Sequence, residues 1–231
     1  MSENTNFGFN NSMVVNNPMG EAPLSPSTIE ANKQRFIDLL SSVQRPGIST
    51  LIEWLVKDTD FFNAPASTKY HSCVKGGLCD HSLKVYEGLA DRAASGKYGV
   101  IPEDRVILTA LCHDICKVGF YKQEMKRKPF KNPNGGKDIW KEVPVWVVDD
   151  QIPLGHGEKS CYYLQCCGVP LDIEEYAMIR YHMGPDDPGY SNSFSKAAAK
   201  WPSVVALFHA DMEAAYVLEK REPEEDPYGG L

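Results

Sequence analysis

The chain has 231 residues and a formal net charge of −7, from 24 lysines and arginines against 31 aspartates and glutamates. Its length suits one domain with a sizeable core, and a content of 42% hydrophobic residues is typical of a globular protein. The acidic balance argues against a protein that coats duplex nucleic acid. There is no apolar run of about 18 residues, and the N-terminus lacks the basic start and apolar core of a signal peptide. We therefore expect a cytoplasmic protein without a membrane partner.

Residues 1–27 are rich in Asn, Ser, Pro and Gly and have no apolar periodicity, so we expect a flexible tail. From Ser27, which is expected to cap the first helix, apolar residues recur at helical spacing along much of the chain. The predicted helices cover about 28–40, 51–55, 78–94, 102–117, 158–167, 172–183 and 203–220. The pattern predicts a mainly α domain over residues 28–220, followed by an acidic tail at 221–231.

Residues 119–153 differ in character from the helical segments. A basic run in this part contains Lys126, Arg127, Lys128 and Lys131. A glycine turn follows at 134–136, and residues 140–148 alternate partly as a strand does, which predicts a small β-hairpin insertion with a basic, mobile arm. This arm, with Phe130 and Trp140 nearby, either receives a flexible anionic substrate and stacks a base or is a solvated hairpin.

The seven cysteines show no CxxC spacing, which argues against a structural zinc ribbon. Nothing indicates secretion, so a disulfide framework is not expected either. Cys112 and Cys116 are four residues apart on a predicted helix and are expected to be small buried apolar residues.

Polar residues on the apolar stripes of predicted helices are the most informative feature. The residues that lie on or beside such stripes are His81, His113, Asp114, His182 and Asp211. In the last helix, for example, Asp211 lies between Phe208 and Ala215, on a stripe that continues to Leu218. An unpaired buried carboxylate is costly and needs a cation, a metal or hydrogen-bond donors. Because several helices each direct a His or an Asp inward, one cation where they converge is more economical than separate partners. Imidazole and carboxylate suit divalent Mn, Fe, Co, Ni and Zn.

The adjacent pair His113-Asp114, in the segment LTALCHDICKVG, resembles the signature of HD-domain metal-dependent phosphohydrolases. The order His81, His113-Asp114, Asp211 matches the H…HD…D order of that superfamily. The segments APASTKYHSCVKGGLCDHSLKVYEGLAD, IPLGHGEKS and IRYHMG further resemble a bacterial and phage branch that is related to the HD domains of bacterial 3′→5′ exoribonucleases. The resemblance covers roughly residues 46–220 and implies an HD-domain helical bundle.

The resemblance also implies a set of metal ligands. One metal ion would be held by His81, His113, Asp114 and Asp211. His156 and His182 would complete a second site, with Asp114 bridging the two ions. The cofactor would be one or two divalent ions of Mn, Fe, Co, Ni, Mg or Zn. If only one ion binds, His156 and His182 instead become substrate ligands or acid–base groups.

Three further side chains are expected to act on the substrate. Lys117 matches the lysine of the HDxxK motif and would face a substrate phosphate. Together with the ligand Asp114, it is an expected catalytic residue. The alternative for Lys117 is a solvated lysine at a helix end. His71 would contact substrate or pack on Tyr70. Lys159 would hold phosphate together with backbone N–H groups or lie on the surface.

These features predict an enzyme that hydrolyses a phosphomonoester or phosphodiester of a nucleotide or short oligonucleotide with metal-activated water. The exoribonucleases with a similar HD domain usually carry an additional OB-type module, for which this chain has no room. A smaller substrate is therefore favoured over processive degradation of RNA. Two alternatives stay open. One is a di-iron oxygenase of a small molecule, which uses the same ligand order, and the other is a non-catalytic, metal-stabilised binding module.

Overall fold

The computed structural model describes residues 23–68, 71–130, 132, 135–185 and 191–219. Over these residues the protein has eight α-helices and one two-stranded sheet, so the prediction of a mainly α chain with one β-hairpin is confirmed. The helices are α1 (Pro26–Ser42), α2 (Ile48–Lys57), α3 (Gly77–Ala94), α4 (Glu103–Cys112), α5 (His156–Cys166), α6 (Ile173–Arg180), α7 (Ser191–Lys200) and α8 (Pro202–Glu213). The strands are β1 (Tyr121–Phe130) and β2 (Ile139–Val148). Most of both predicted tails lies outside the described residues, as do Tyr70 and Lys131.

Helix α1 begins earlier than the sequence predicts. Pro26 occupies its first turn, where the missing N–H has no helical partner to lose. Ser25 rather than Ser27 is the N-cap, because the Ser25 hydroxyl accepts the N–H of Thr28 at 3.0 Å. The assignment of the cap to Ser27 is therefore wrong.

Helix α4 ends at Cys112, well before the predicted end at Lys117, and one 3₁₀ turn over Ile115–Lys117 follows it. Ser160 of α5 accounts for the break. Its hydroxyl donates to the carbonyl oxygen of His113 at 2.5 Å and accepts the N–H of Cys116 at 3.1 Å. The break leaves His113 and its neighbour Asp114 buried side by side at the end of α4.

Helix α7 is not predicted by the sequence, because it consists mainly of Ser, Asn, Lys and Ala. Phe194 and Ala197 supply its apolar contacts. Ala197 is buried, and the ring of Phe194 lies 5.7 Å from that of Phe208 on α8. Helix α7 thus packs on α8 through few apolar residues. Its sequence therefore shows little of the apolar periodicity that predicts a helix.

Two apolar clusters form the core, and α3, α4 and α6 contribute to both. The first cluster includes Phe36, Leu51, Phe61, Leu78, Leu108, Leu111, Leu164 and Ile179. The second includes Val85, Leu89, Ala110, Met178, Val204 and Leu207. Packing into both clusters fixes these three helices relative to one another. None of the helices in the described ranges is both long and apolar enough to cross a membrane.

A network of ion pairs holds α6 against α4. Arg45, between α1 and α2, donates to the carboxylate of Glu175 at 2.7 and 2.8 Å and to Asp104 at 3.0 Å. Glu175 is 1% exposed, so its charge needs such a partner. Arg105 on α4 pairs with Asp172 at 2.6 Å, and Asp172 is the N-cap of α6. The network therefore fixes the position of α6 relative to α4.

The insertion is an antiparallel ribbon of two ten-residue strands, in which Tyr121 lies opposite Val148 and Phe130 lies opposite Ile139. At its root, the N–H of Asp149 donates to the carbonyl oxygen of Phe120 at 2.8 Å. In the part of the chain that the structure describes, neither strand pairs with a third strand. The ribbon, meaning β1 and β2 together, is exposed over most of its distal half.

Candidate metal centre

Side chains from four helical segments meet at one buried point. His81 lies on α3, His113 and Asp114 follow α4, His182 follows α6, and Asp211 lies on α8. The separations that join them are His81 Nε2–Asp211 Oδ1 3.1 Å, His113 Nε2–Asp114 Oδ2 3.4 Å, His182 Nε2–Asp114 Oδ1 3.4 Å, His81 Nε2–Asp114 Oδ2 3.8 Å and His113 Nε2–Asp211 Oδ1 3.8 Å. The structure thus brings five of the six predicted ligands together, and we call this group the candidate metal centre.

The Nε2 atoms of His81, His113 and His182 are buried without a hydrogen-bond partner among the described residues. In His113, Nδ1 donates to the carbonyl oxygen of Ala110 at 2.7 Å. In His182, Nδ1 donates to the carbonyl oxygen of Ile179 at 2.7 Å. Because only a protonated nitrogen can donate to a carbonyl, Nδ1 carries the proton and the Nε2 lone pair faces the carboxylates. Facing acceptors repel each other, and a cation between them satisfies both, as in metal-binding histidines.

The charges of the centre also favour a cation. Burial acts to raise the pKa of Asp114, but Lys117 and the nearby imidazoles hold that pKa well below its ordinary value. Burial acts in the same direction on Asp211, yet its contact with His81 lowers the pKa to about 2. Burial disfavours a charged His81, but Asp211 and Glu219 raise its pKa to about 9. Without a metal ion, a protonated His81 and the Lys117 ammonium group balance the two ionised carboxylates, and a divalent cation would take the place of the proton between His81 Nε2 and Asp211.

His156 is the sixth predicted ligand and lies at the first residue of α5, at the edge of the centre. Asp114, Cys116 and His156 each offer one ligand atom within 4.8 Å of the others. His156 Nδ1 is buried without a hydrogen-bond partner in the described chain, and burial lowers the pKa of the ring. Burial raises the pKa of the Cys116 thiol, whose Sγ donates to Asp114 Oδ1 at 3.7 Å. His156 and His182 are the side chains available for a second ion beside Asp114.

Lys117 is a buried residue and not a solvated lysine at a helix end, so that alternative is wrong. It is 7% exposed, and its Nζ lies 2.6 Å from Asp114 Oδ2. Burial acts to lower the pKa of Lys117, but the Asp114 carboxylate raises it above its ordinary value. A charged ammonium group is therefore held beside the carboxylate at the middle of the centre.

Lys159 is also buried, at 2% exposure, so the alternative that it lies on the surface is wrong. Its ammonium group pairs with Asp150, which follows β2, and lies 5.0 Å from the ring centroid of Phe120. The Phe120 ring is in turn 5.7 Å from the ring of His156. Lys159 thus joins the root of the ribbon to α5 next to the centre, with its charge already paired.

Glu219 is a buried residue of the site that the sequence does not predict. Its Oε1 lies 3.0 Å from His81 Nδ1, its Oε2 lies 2.8 Å from His71 Nδ1, and Lys84 Nζ is 3.6 Å away. Burial opposes the charge of Glu219, but the hydrogen bonds from His71 and His81 lower its pKa. A carboxylate on the Nδ1 side of a ligand histidine orients the ring and makes its Nε2 a better donor to a metal. His71 therefore reaches the centre through Glu219.

A π-helical turn over Ala214–Leu218 explains why Glu219 escapes the helical pattern. The N–H of Glu219 donates to the carbonyl oxygen of Ala214 at 3.0 Å, a bond that spans five residues. Such a turn takes up about one extra residue, so the face that contains Asp211 continues to Glu219. Leu218 is 54% exposed, and its predicted place on the buried stripe is wrong.

Two expectations about neighbouring residues are confirmed. His209 lies two residues before Asp211 and, as helical spacing predicts, points away from the centre. It is exposed, and its Nδ1 lies 3.3 Å from the hydroxyl oxygen of Tyr98. Cys112 and Cys116 are both buried, and the seven cysteines are free thiols.

Glu219→Gln is expected to weaken metal binding about 10- to 100-fold, because the loss of an outer carboxylate of this kind usually costs that much. Glutamine keeps an acceptor for His81 Nδ1 but removes the charge, so Glu219→Ala should weaken binding further. Competition with a chromophoric chelator measures the metal dissociation constant. Glu213→Gln is the matched control, since Glu213 lies at the end of α8 and pairs with Arg92 at 2.7 Å. Equal dissociation constants for the two Gln variants would show that Glu219 does not position His81.

The comparisons with known proteins identify no relative of this chain. It matches none of the family models, none of the curated proteins and none of the solved structures with which it was compared. Its chemistry must therefore be inferred from the side chains of the candidate metal centre.

Proposed function

We propose that the chain is a metal-dependent phosphohydrolase of the HD-domain type. The observation that supports this most directly is the set of three buried Nε2 atoms, without hydrogen-bond partners in the described chain, that face the carboxylates of Asp114 and Asp211. The ligands also occur in the order His81, His113-Asp114, Asp211, which resembles that of HD-domain phosphohydrolases. The substrate that we propose for this chain is therefore a phosphomonoester or phosphodiester of a nucleotide or short oligonucleotide.

The donor set fits first-row divalent cations, because it mixes neutral imidazole nitrogens with carboxylate oxygens. One ion would be held by His81, His113, Asp114 and Asp211, whose facing nitrogen and oxygen atoms lie 3.1 to 3.8 Å apart. A second would be held by His156 and His182, both of which lie close to the Asp114 carboxylate. When bound, the ions supply Lewis acidity toward water and toward the phosphoryl oxygens.

Lys117 supplies the protein's own positive charge at the same place. Its ammonium group contacts Asp114 Oδ2 at 2.6 Å and is almost fully enclosed. A phosphate bound next to Asp114 therefore meets a fixed cation in a site that excludes most water, where such charge is most effective. This role is the one that distinguishes a phosphohydrolase from a metal site that only stabilises the fold.

The test is a hydrolysis screen with the Mn²⁺-loaded protein in anaerobic buffer. We expect release of p-nitrophenol from bis-p-nitrophenyl phosphate, with nucleotides, cyclic dinucleotides and short RNA and DNA as further substrates. Lys117→Met should lower kcat/KM about 100-fold while the metal content is unchanged, because one stabilising charge is lost and the ligands remain. Lys75→Met, at an exposed position, is the control. Protein that hydrolyses no phosphoester, or that consumes oxygen when loaded with iron, would contradict the proposal.

A further inference from the structure

The ribbon concentrates positive charge in an acidic protein. Its two strands contain five basic and two acidic residues, a net charge of +3 in a chain whose net charge is −7. The excess lies in the distal half, where most side chains are exposed. A basic arm on an otherwise acidic surface attracts anions to that arm alone.

The two faces of the ribbon differ in whether a basic residue lies opposite an acidic one. On one face Arg127 lies directly opposite Glu142, so the charges are paired across the strands. On the other face Lys128 lies directly opposite Lys141, and Lys126, two residues before Lys128, lies opposite Val143. Like charges in directly opposed positions destabilise a strand pair. This face therefore contains an unfavourable pair of like charges. We call Lys126, Lys128 and Lys141 together the lysine face.

The lysine face has no anionic partner within the protein as described. None of Lys126, Lys128 and Lys141 lies within 4.0 Å of a carboxylate oxygen of the described residues. By contrast, Lys122 near the root lies 3.3 Å from Asp149 and 3.5 Å from Glu124. The three unpaired lysines share their face with an aromatic ring, since Lys141 Nζ is 5.4 Å from the ring centroid of Phe130.

The root of the ribbon lies at the candidate metal centre. Tyr121 comes four residues after Lys117, and its hydroxyl donates to the carbonyl oxygen of Ala66 at 3.2 Å. Phe120, just before β1, contacts the ring of His156. At about 3.4 Å per residue, Lys126 and Lys128 lie roughly 17 to 24 Å along the strand from Tyr121. That distance corresponds to roughly five to seven stacked nucleotides at about 3.4 Å each.

We propose that the lysine face binds the phosphate backbone of a single-stranded oligonucleotide whose end is presented to the candidate metal centre. The fate of the bound strand rests on the proposed function, whereas its binding does not. Lysines beside a half-buried aromatic ring whose face is open to a base are the combination that holds single strands without reading their sequence. The Phe130 ring beside the lysines favours a strand whose bases can stack on it, whereas two copies of a chain with a net charge of −7 repel each other overall.

The binding test compares two triple variants of equal charge. Lys126→Gln/Lys128→Gln/Lys141→Gln removes the lysine face, and Lys57→Gln/Lys97→Gln/Lys196→Gln removes three exposed lysines elsewhere. The probe is a fluorescein-labelled 12-nucleotide oligo(dT), followed by anisotropy in EDTA so that no turnover occurs. We expect the first variant to bind about tenfold more weakly than the second. For the lysine-face variant, the slope of log Kd against log salt concentration should be smaller by about 2, because three phosphate contacts on a single strand are lost.

The hydrolysis test uses substrate length. The lysine-face variant should lose kcat/KM on the 12-nucleotide strand but keep that of the wild type on a dinucleotide and on bis-p-nitrophenyl phosphate, which cannot reach Lys126. Equal oligonucleotide affinity and salt dependence in the two triple variants would overturn the inference even if phosphoester hydrolysis is intact. A change of oligomeric state in the lysine-face variant, with oligonucleotide binding unchanged, would also overturn it. Lysine-dependent binding without any phosphoester hydrolysis would support the ribbon site and contradict the proposed function.

Discussion

Asp114→Asn is expected to empty the candidate metal centre and to abolish phosphoester hydrolysis. Asp114 is the carboxylate nearest to two of the unpartnered imidazoles, at 3.4 Å from both His113 Nε2 and His182 Nε2. A neutral amide in its place offers no negative charge to either ion. We expect kcat/KM to fall by more than about 100-fold, the upper range for the loss of an outer partner. Metal content after gel filtration, measured by mass spectrometry, and hydrolysis of bis-p-nitrophenyl phosphate are the two readouts.

The same substitution leaves the Lys117 ammonium group buried without its carboxylate, and this alone destabilises a fold. The double variant Asp114→Asn/Lys117→Met separates the two effects, because it removes the orphaned charge but cannot restore the metal. It should regain much of the lost stability and remain free of metal. Asp38→Asn, at an exposed position on α1, is the control for the amide substitution. Full metal content in Asp114→Asn would show that the ligand assignment is wrong.

The inward-facing ligands could be predicted from the sequence because each lies on a helix or just past its end, where the apolar neighbours decide which face is buried. His81 shares a face with Val85 and Leu89, both fully buried, so its direction follows from the 3.6-residue period. The same logic excludes His209, which lies about 200° around the helix from Asp211. What the period cannot give is the distance between helices, and the separations of 3.1 to 3.8 Å come only from the three-dimensional structure.

The features that escape prediction depend on local departures from regularity or on distant partners. Glu219 is aligned with the centre by a π-helical turn, which shifts the face by about one residue. The burial of Lys159 depends on Asp150, which the return of the ribbon brings to it. The early end of α4 depends on a hydroxyl of Ser160, 47 residues from the carbonyl it binds. None of these contacts produces a periodic pattern in its own segment.

Gly157→Ala is expected to destabilise the protein and to displace His156 and His182 from each other. A Cβ atom at Gly157 would lie 2.4 Å from both Cα and the carbonyl oxygen of Arg180, so the backbones of α5 and α6 touch at this point. Backbone atoms cannot yield as the end of a side chain can, and α5 must move away from α6. His156 precedes Gly157, and His182 follows Arg180 by two residues. We therefore expect a loss of about 3 kcal/mol in the free energy of unfolding, the upper part of the range for overpacking, and weaker metal binding.

Gly88→Ala is the matched control, because it adds the same methyl group within a helix. There the new Cβ would lie 3.2 Å from the flexible end of Arg92 and 3.4 Å from Ala210 Cβ, so small adjustments suffice. Alanine also favours a helix over glycine by about 1 kcal/mol, which offsets the closer packing. Urea unfolding of the metal-free proteins separates the two substitutions without any contribution from metal binding. If Gly157→Ala unfolds at the same urea concentration as Gly88→Ala, the contact between α5 and α6 does not set the separation of His156 and His182.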